Sequence, residues 1–162
     1  MSAMLAALYK HNAWANLRLI DACAELTDEQ LDASAVGTYG RLRDTLIHLF
    51  AAQERYVALL SGEENPNPLR EDAPFPGFGE LRERARASSD ALTARAERFQ
   101  ADHVLRGVRR GQPYAIPASI VLIQAINHAT EHRAHVATIL SQQGITPPNL
   151  DGWSYGEDQP AG

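Results

Sequence analysis

The segment INHATEHRAH, residues 126–135, contains His128, His132 and His135, which are three of the six histidines in the chain. On a helix, His128 and His132 stand about 40° apart around the axis and about 6 Å apart along it, so their imidazoles can reach one metal ion. His135 follows on the same side, about 10 Å along the axis from His128, too far for all three to bind one ion easily. A third protein ligand must therefore come from another part of the chain.

The composition is that of one globular domain, which we expect to span residues 1–162. Hydrophobic residues make up 44% and charged residues 22%, values typical of a folded protein. The net charge of −5 argues against a nucleic-acid partner, because binding to phosphates calls for clustered positive charge. A single cysteine, Cys23, and an N-terminus without a signal peptide predict a cytoplasmic protein. No apolar run is long enough to span a membrane, so no membrane partner is expected.

Apolar residues recur at helical spacing in four long segments, which predicts an all-α fold. Thr27 and Gln30 have the spacing of a capping box and predict a short additional helix. Four long helices with connections of mixed length favour a four-helix bundle. The predicted helices run from about Leu5 to Leu26, Tyr39 to Leu60, Gly79 to Phe99, and Pro117 to Gln143.

The connections carry their own signals. Residues 65–79, NPNPLREDAPFPGFG, contain four of the nine prolines, which predicts a long crossover loop or covering flap. Residues 104–117, VLRGVRRGQPYAIP, are either irregular or a small hairpin. The tail from residue 145 is expected to be extended, with Trp153 anchoring it and Trp14 in the core.

The other three histidines differ in their surroundings. His103 follows Asp102 and is expected to be solvated, whereas His11 lies within the first helix and stays a candidate ligand. His48 lies in TLIHLFAAQERY, residues 45–56, among aliphatic residues. A histidine there is either a hydrogen-bonded core residue or the missing metal ligand.

Competing catalytic motifs fit less well. Residues 128–132, HATEH, match the H-x-x-E-H pattern of some zinc peptidases, with Glu131 as general base. That site needs a further glutamate downstream, and the only one is Glu157 in the tail. A di-iron carboxylate site is excluded, because no glutamate lies three residues before a histidine. Cys23 lies among apolar residues and is more consistent with packing than with nucleophilic catalysis.

Four stretches of the sequence, taken together, resemble one known family. They are YKHNAWANLRLIDAC (9–23), RLRDTLIHLFAAQERYVALLSG (41–62), LIQAINHATEHRAHVATILSQQGITPP (122–148) and PPNLDGWSYGE (147–157). The first stretch contains an asparagine and a tryptophan, the second contains a single histidine, and the third contains two histidines four residues apart. With these features the chain resembles the DinB-like, or damage-inducible, family of four-helix metal-binding proteins.

The resemblance implies a four-helix bundle with a long crossover loop and a metal site of His48, His128 and His132. The family often has glutamine where this sequence has His135. The resemblance leaves three roles open for His135: a hydrogen bond to the site, a substrate contact, or no role. We expect it to lie beside the metal ligands or in the pocket wall and not to be a ligand itself.

The resemblance also implies a range of functions. Relatives include transferases and isomerases that use a low-molecular-weight thiol, so the chain is expected to be a divalent-metal-dependent thiol transferase or small-molecule hydrolase. Zinc or nickel is the expected metal, since imidazole ligands suit both. The alternative is a metal-stabilised stress-response or binding protein without turnover. No catalytic residue is assigned, and a homodimer is left open. Pocket candidates, for which surface or packing roles fit equally well, are Tyr39, Arg41, Tyr114 and Arg133.

Overall fold

The computed structural model describes residues 2–109 and 111–159 and places most of them in helices, as expected. None of the helices in this part of the chain is long and apolar enough to cross a membrane. The elements in chain order are α1 (Ser2–Ala24), α2 (Asp28–Leu31), α3 (Leu42–Ser61), α4 (Phe78–Arg98), β1 (Val104–Arg109), β2 (Gln112–Pro117), α5 (Ala118–Gln142) and α6 (Gly152–Glu157).

Local backbone geometry sets the ends of α3. The helix begins at Leu42 rather than near Tyr39, because Arg41 has an extended backbone and forms an isolated β-bridge with Ser34. It ends at Gly62, where φ is 72°. This left-handed conformation favours glycine.

Residues 104–109 and 112–117 pair as two antiparallel strands, so the chain is not purely helical. Of the two interpretations left open for this segment, the hairpin is correct. Gly107 pairs with Tyr114 across the two strands. A Cβ atom at residue 107 would lie 2.6 Å from the Tyr114 hydroxyl oxygen, so glycine leaves room for the tyrosine ring to cross the ribbon.

The hairpin also changes how α5 begins. Pro117, predicted at the first helical position, is instead the last residue of β2, and the helix begins at Ala118. The backbone amide of Ser119 has no partner within the helix. It donates to Oδ1 of Asp102, a residue far earlier in the sequence, at 3.0 Å.

The tail differs from the extended segment that we expected. Asp151 caps α6 by accepting the Ser154 amide at 2.8 Å. The tail is anchored through Asp158, which accepts from Trp14 Nε1 at 3.0 Å and from Arg18 at 2.7 Å. Trp153 is 85% exposed, so its predicted role as the anchor is wrong. Trp14 is only half-buried rather than in the core.

Two apolar clusters at opposite ends of the four long helices establish the helix directions. α1 and α5 run from the second cluster to the first, and α3 and α4 run the opposite way. The chain must therefore return along the full length of the helices between α3 and α4, through residues 62–77. The first cluster includes Leu19, Leu46, Leu81 and Val136, and the second includes Tyr9, Leu60, Leu92 and Leu122.

Residues 62–77, the crossover segment, are anchored by one buried carboxylate. Glu54 on α3 accepts hydrogen bonds from the Leu69 amide at 2.7 Å and from Asn65 Nδ2 at 3.0 Å. Arg84 on α4 donates to Glu54 at 3.0 Å and to the Asn67 carbonyl at 3.0 Å. These contacts hold the proline-rich segment against the helices without regular secondary structure.

A buried polar layer joins all four long helices. Arg133 on α5 donates to Asn12 Oδ1 at 2.6 Å and Asn16 Oδ1 at 2.7 Å on α1. Asn16 donates to Gln53 on α3 at 2.9 Å, and Gln53 donates to Ser88 on α4 at 2.7 Å. Because each buried group needs its partner at one height, the layer opposes sliding of the helices along one another.

Burial lowers the pKa of the Arg133 guanidinium to about 10, so it stays charged at neutral pH. Among the residues that the structure describes, no carboxylate lies within ion-pair distance of Arg133. Its charge is therefore solvated by the neutral oxygens of the layer, which makes those oxygens costly to remove.

We expect the Asn16→Leu variant to lose about 2–3 kcal/mol of unfolding free energy, because it removes a partner from the buried Arg133 and from Gln53. Lys10→Ala is the matched control on α1, since it breaks an exposed ion pair with Glu97 and should cost less than about 1 kcal/mol. Urea unfolding of both variants measures the difference. Equal losses would show that the layer does not contribute to stability.

Candidate metal centre

Three histidines from two helices, α3 and α5, converge on one another. His48 projects from α3, and His128 and His132 project from successive turns of α5. One ring nitrogen from each histidine lies within 4.8 Å of the other two, and His48 Nε2 is 3.1 Å from His128 Nε2. His132 is 5% exposed, while the other two are half-buried.

The donor set is compatible with a metal-binding site. Zinc–nitrogen bonds of 2.0–2.1 Å in a tetrahedral site place ligand nitrogens about 3.3 Å apart. The separation of 3.1 Å between His48 Nε2 and His128 Nε2 is close to that spacing. Imidazole nitrogens bind zinc, nickel, copper and iron, so the donor set does not select one of these metals.

The two α5 imidazoles, His128 and His132, are held in the neutral form that metal binding requires. Burial, and then the neighbouring His132 and His48, lower the pKa of His128 to about 4. Burial, and then His48 and His135, lower the pKa of His132 to about 4. Both rings are therefore uncharged at neutral pH, with lone pairs free to accept a cation.

Glu71, from the crossover segment, is a site residue that the sequence analysis missed. Its Oε2 atom lies 2.7 Å from His48 Nδ1, and its Oε1 atom accepts from Arg55 at 2.7 Å. Partial burial raises the pKa of Glu71, but hydrogen bonds from His48 and Arg55 outweigh it and hold the pKa below its ordinary value. An acidic residue in a proline-rich loop has no periodicity that could have marked it.

His135 lies beside the three histidines rather than among them. Its Nδ1 atom is 3.3 Å from His132 Nδ1, and it is not part of the group whose nitrogens lie within 4.8 Å of one another. An imidazole at this place can accept a hydrogen bond from His132 Nδ1 and so orient that ring.

The four pocket candidates lie in different places. Tyr39 stacks on His48 with ring centroids 4.0 Å apart and donates to Glu71 at 3.2 Å. Tyr114 lines a large cleft that lies beneath the hairpin and reaches His48 and His128. Arg133 faces α1 in the buried polar layer. Arg41 is exposed and pairs with Asp32 and Asp44, and it is not among the residues that line the cleft.

The remaining candidate groups stand apart from the cluster. His11 Nε2 is 2.8 Å from the Leu150 carbonyl, where it serves the tail. His103 is exposed, as expected. Glu131 is also exposed and lies outside the histidine group, which removes support for a peptidase motif. Burial raises the pKa of Cys23 to about 12, so its thiol stays protonated and unreactive.

A cleft of about 1220 Å³ runs from the histidines along α3 and beneath the hairpin. Its lining is mixed, with tyrosines and aliphatic side chains beside two arginines and two glutamates. The polar and aromatic side chains that could contact a substrate in this cleft are those of His48, Arg55, Tyr56, Arg106, Tyr114, Gln124 and His128. The histidine cluster therefore opens to a space large enough for a small organic molecule.

Comparison with known proteins assigns the chain to a family. The fold is similar to the crystal structure of a DinB-like protein from Bacillus cereus, with a TM-score of 0.62 and 20% identity, covering 87% of this chain and 91% of that chain. No curated protein matches the sequence. The family model described as "DinB family" matches residues 1–161. The resemblance seen in the sequence is confirmed, and the chain belongs to the DinB family.

Proposed function

We propose that this chain, a single domain with the four-helix bundle of its family, is a divalent-metal-dependent enzyme acting on a small molecule. The observation that carries the proposal is the convergence of three imidazole nitrogens within 4.8 Å at the wall of a cleft of about 1220 Å³. His48, His128 and His132 would hold one divalent ion, with zinc or nickel as the favoured metals.

The number of ligands favours catalysis over a purely structural site. Structural zinc sites are usually closed by four protein ligands, whereas catalytic sites use three and leave a position for water or substrate. When bound, such an ion supplies Lewis-acid chemistry and makes a coordinated water or thiol more acidic. His135 has its Nδ1 beside His132 Nδ1, which supports an orienting role rather than a fourth ligand.

The chain's own residues would receive and orient the substrate. Tyr56 packs edge-on against His128, with ring centroids 5.8 Å apart, and forms a wall of the cleft with Gln124. Tyr114 closes the cleft from the hairpin side. Thiol transfer or small-molecule hydrolysis is the proposed reaction class, supported by the resemblance to thiol-dependent members of the family.

Metal content and ligand variants test the site. We expect about one ion per wild-type chain, and binding weakened more than about 100-fold in His48→Ala, His128→Ala or His132→Ala, because each leaves only two ligands. His103 also lines the cleft, but the His103→Ala variant should keep full metal occupancy. Elemental analysis of purified proteins makes the measurement. Equal metal in wild type and a His48→Ala/His132→Ala double variant would contradict the site.

Activity separates the enzyme from a metal-stabilised binding or stress-response protein. We expect a screen of thiol-adduct transfer and of ester and amide hydrolysis to find metal-dependent turnover that His132→Ala abolishes. His135→Gln should keep the metal and change the rate about 10- to 100-fold, as loss of a ligand's hydrogen-bond partner typically does. Tight metal binding without turnover on any compound would favour the binding protein instead.

The pKa values of the two α5 histidines predict an acid-sensitive fold when the metal is removed. Unfolded histidine titrates near a pKa of about 6.5, while His128 and His132 titrate at about 4 in the folded chain. The unfolded state binds more protons between these values, so stability should fall as pH drops from about 6.5 to 4.

Urea unfolding in the presence of a chelator, at several pH values across this window, measures the loss. Carboxylates also titrate there, so a His128→Gln/His132→Gln double variant is the control and should lose less stability over the same range. A double variant with the wild-type pH dependence would show that these two histidines do not cause it.

A further inference from the structure

We propose that Glu71 is a positioning residue that fixes His48 in one tautomer and aims its Nε2 lone pair at the metal. The inference rests on the proposed function, in that the histidine cluster is the metal site. The crossover segment contributes none of the three histidines, and Glu71 gives it a role at the site.

The two nitrogens of His48 are engaged on opposite sides of the ring. Nδ1 lies 2.7 Å from Glu71 Oε2, and Nε2 lies 3.1 Å from His128 Nε2. An ionised carboxylate can only accept a hydrogen bond, so the proton of a neutral His48 must be on Nδ1. Nε2 is then unprotonated, which is the form that binds a metal ion.

The Glu71 carboxylate is itself held in place by two other segments. Arg55, two helical turns after His48 on α3, donates to Oε1 at 2.7 Å. Tyr39, from the loop before α3, donates its hydroxyl to Oε2 at 3.2 Å. The Tyr39 ring also stacks on the imidazole of His48, with planes 20° apart. The ring of His48 is therefore restrained both at its edge and on its face.

The crossover segment does not depend on Glu71 for its attachment. Glu54 binds the segment through the Leu69 amide and Asn65, and Arg84 binds it through the Asn67 carbonyl. Leu69 is also buried. Removal of the Glu71 carboxylate should therefore leave the fold intact and act on the orientation and tautomer of His48.

The first readout is metal affinity. We expect Glu71→Ala to bind zinc about 10- to 100-fold more weakly than wild type in competition with a chelating dye. Glu71→Gln keeps an amide oxygen that can accept from Nδ1, so its affinity should fall between the two. Asp72→Asn is the matched control, because within residues 2–109 and 111–159 this neighbour pairs only with the exposed Arg70, and it should bind zinc as wild type does.

The second readout needs no metal. Nitrogen-15 NMR of the metal-free wild type should show His48 protonated at Nδ1 and unprotonated at Nε2. In Glu71→Ala this preference should be lost, while Asp72→Asn should keep it. If the His48 tautomer and zinc affinity are the same in Glu71→Ala and wild type, the proposed role of Glu71 is overturned.

The two readouts separate the inference from the proposed function. Wild type that binds no zinc but shows a Glu71-dependent His48 tautomer would remove the metal site, and with it the role of aiming a ligand. Wild type that binds zinc through the three histidines, with Glu71→Ala equally tight, would leave the metal site standing and remove only Glu71.

Discussion

The contact between α3 and α5 at the height of His48 and His128 determines whether the three histidines meet. The two helices run in opposite directions, and a shift of one turn along either axis would move His48 by about 5.4 Å from its partners. The buried polar layer opposes such a shift, because Arg133, Asn16 and Gln53 bond at one height across α5, α1 and α3. Arg133 directly follows His132 in the sequence, so the buried polar layer lies next to the histidine cluster.

The helices bring the imidazoles together, and the irregular segments orient them. His48 is contacted by Tyr39 from the loop before α3 and by Glu71 from the crossover segment. The hairpin supplies Tyr114 to the cleft. Loops suit this role, because their side chains can contact the histidine from sides that the helix carrying it does not cover.

The sequence predicted the features that have a period, and missed those that depend on long-range contacts. The helical apolar pattern was sufficient to predict the long helices, and the spacing of His128 and His132 was sufficient to predict that these two side chains lie close together. An isolated histidine among aliphatic residues has two interpretations, and the facing pair His128 and His132, together with the family resemblance, favoured the metal role for His48. Glu71 left no such signal, since distant partners determine where it lies. The local cap at Asp151 could have marked α6, which the sequence analysis did not predict. Pro117 fits a helix start, but pairing with Val104 places it in a strand.

A crystal structure of the protein loaded with zinc would show which side chains bind the ion. We expect one zinc ion at 2.0–2.1 Å from single nitrogens of His48, His128 and His132. The Glu71 carboxylate should stay on His48 Nδ1, and His135 should be outside bonding distance of the ion. A zinc ion bound elsewhere, or one closed by His135 as a fourth protein ligand, would contradict the account.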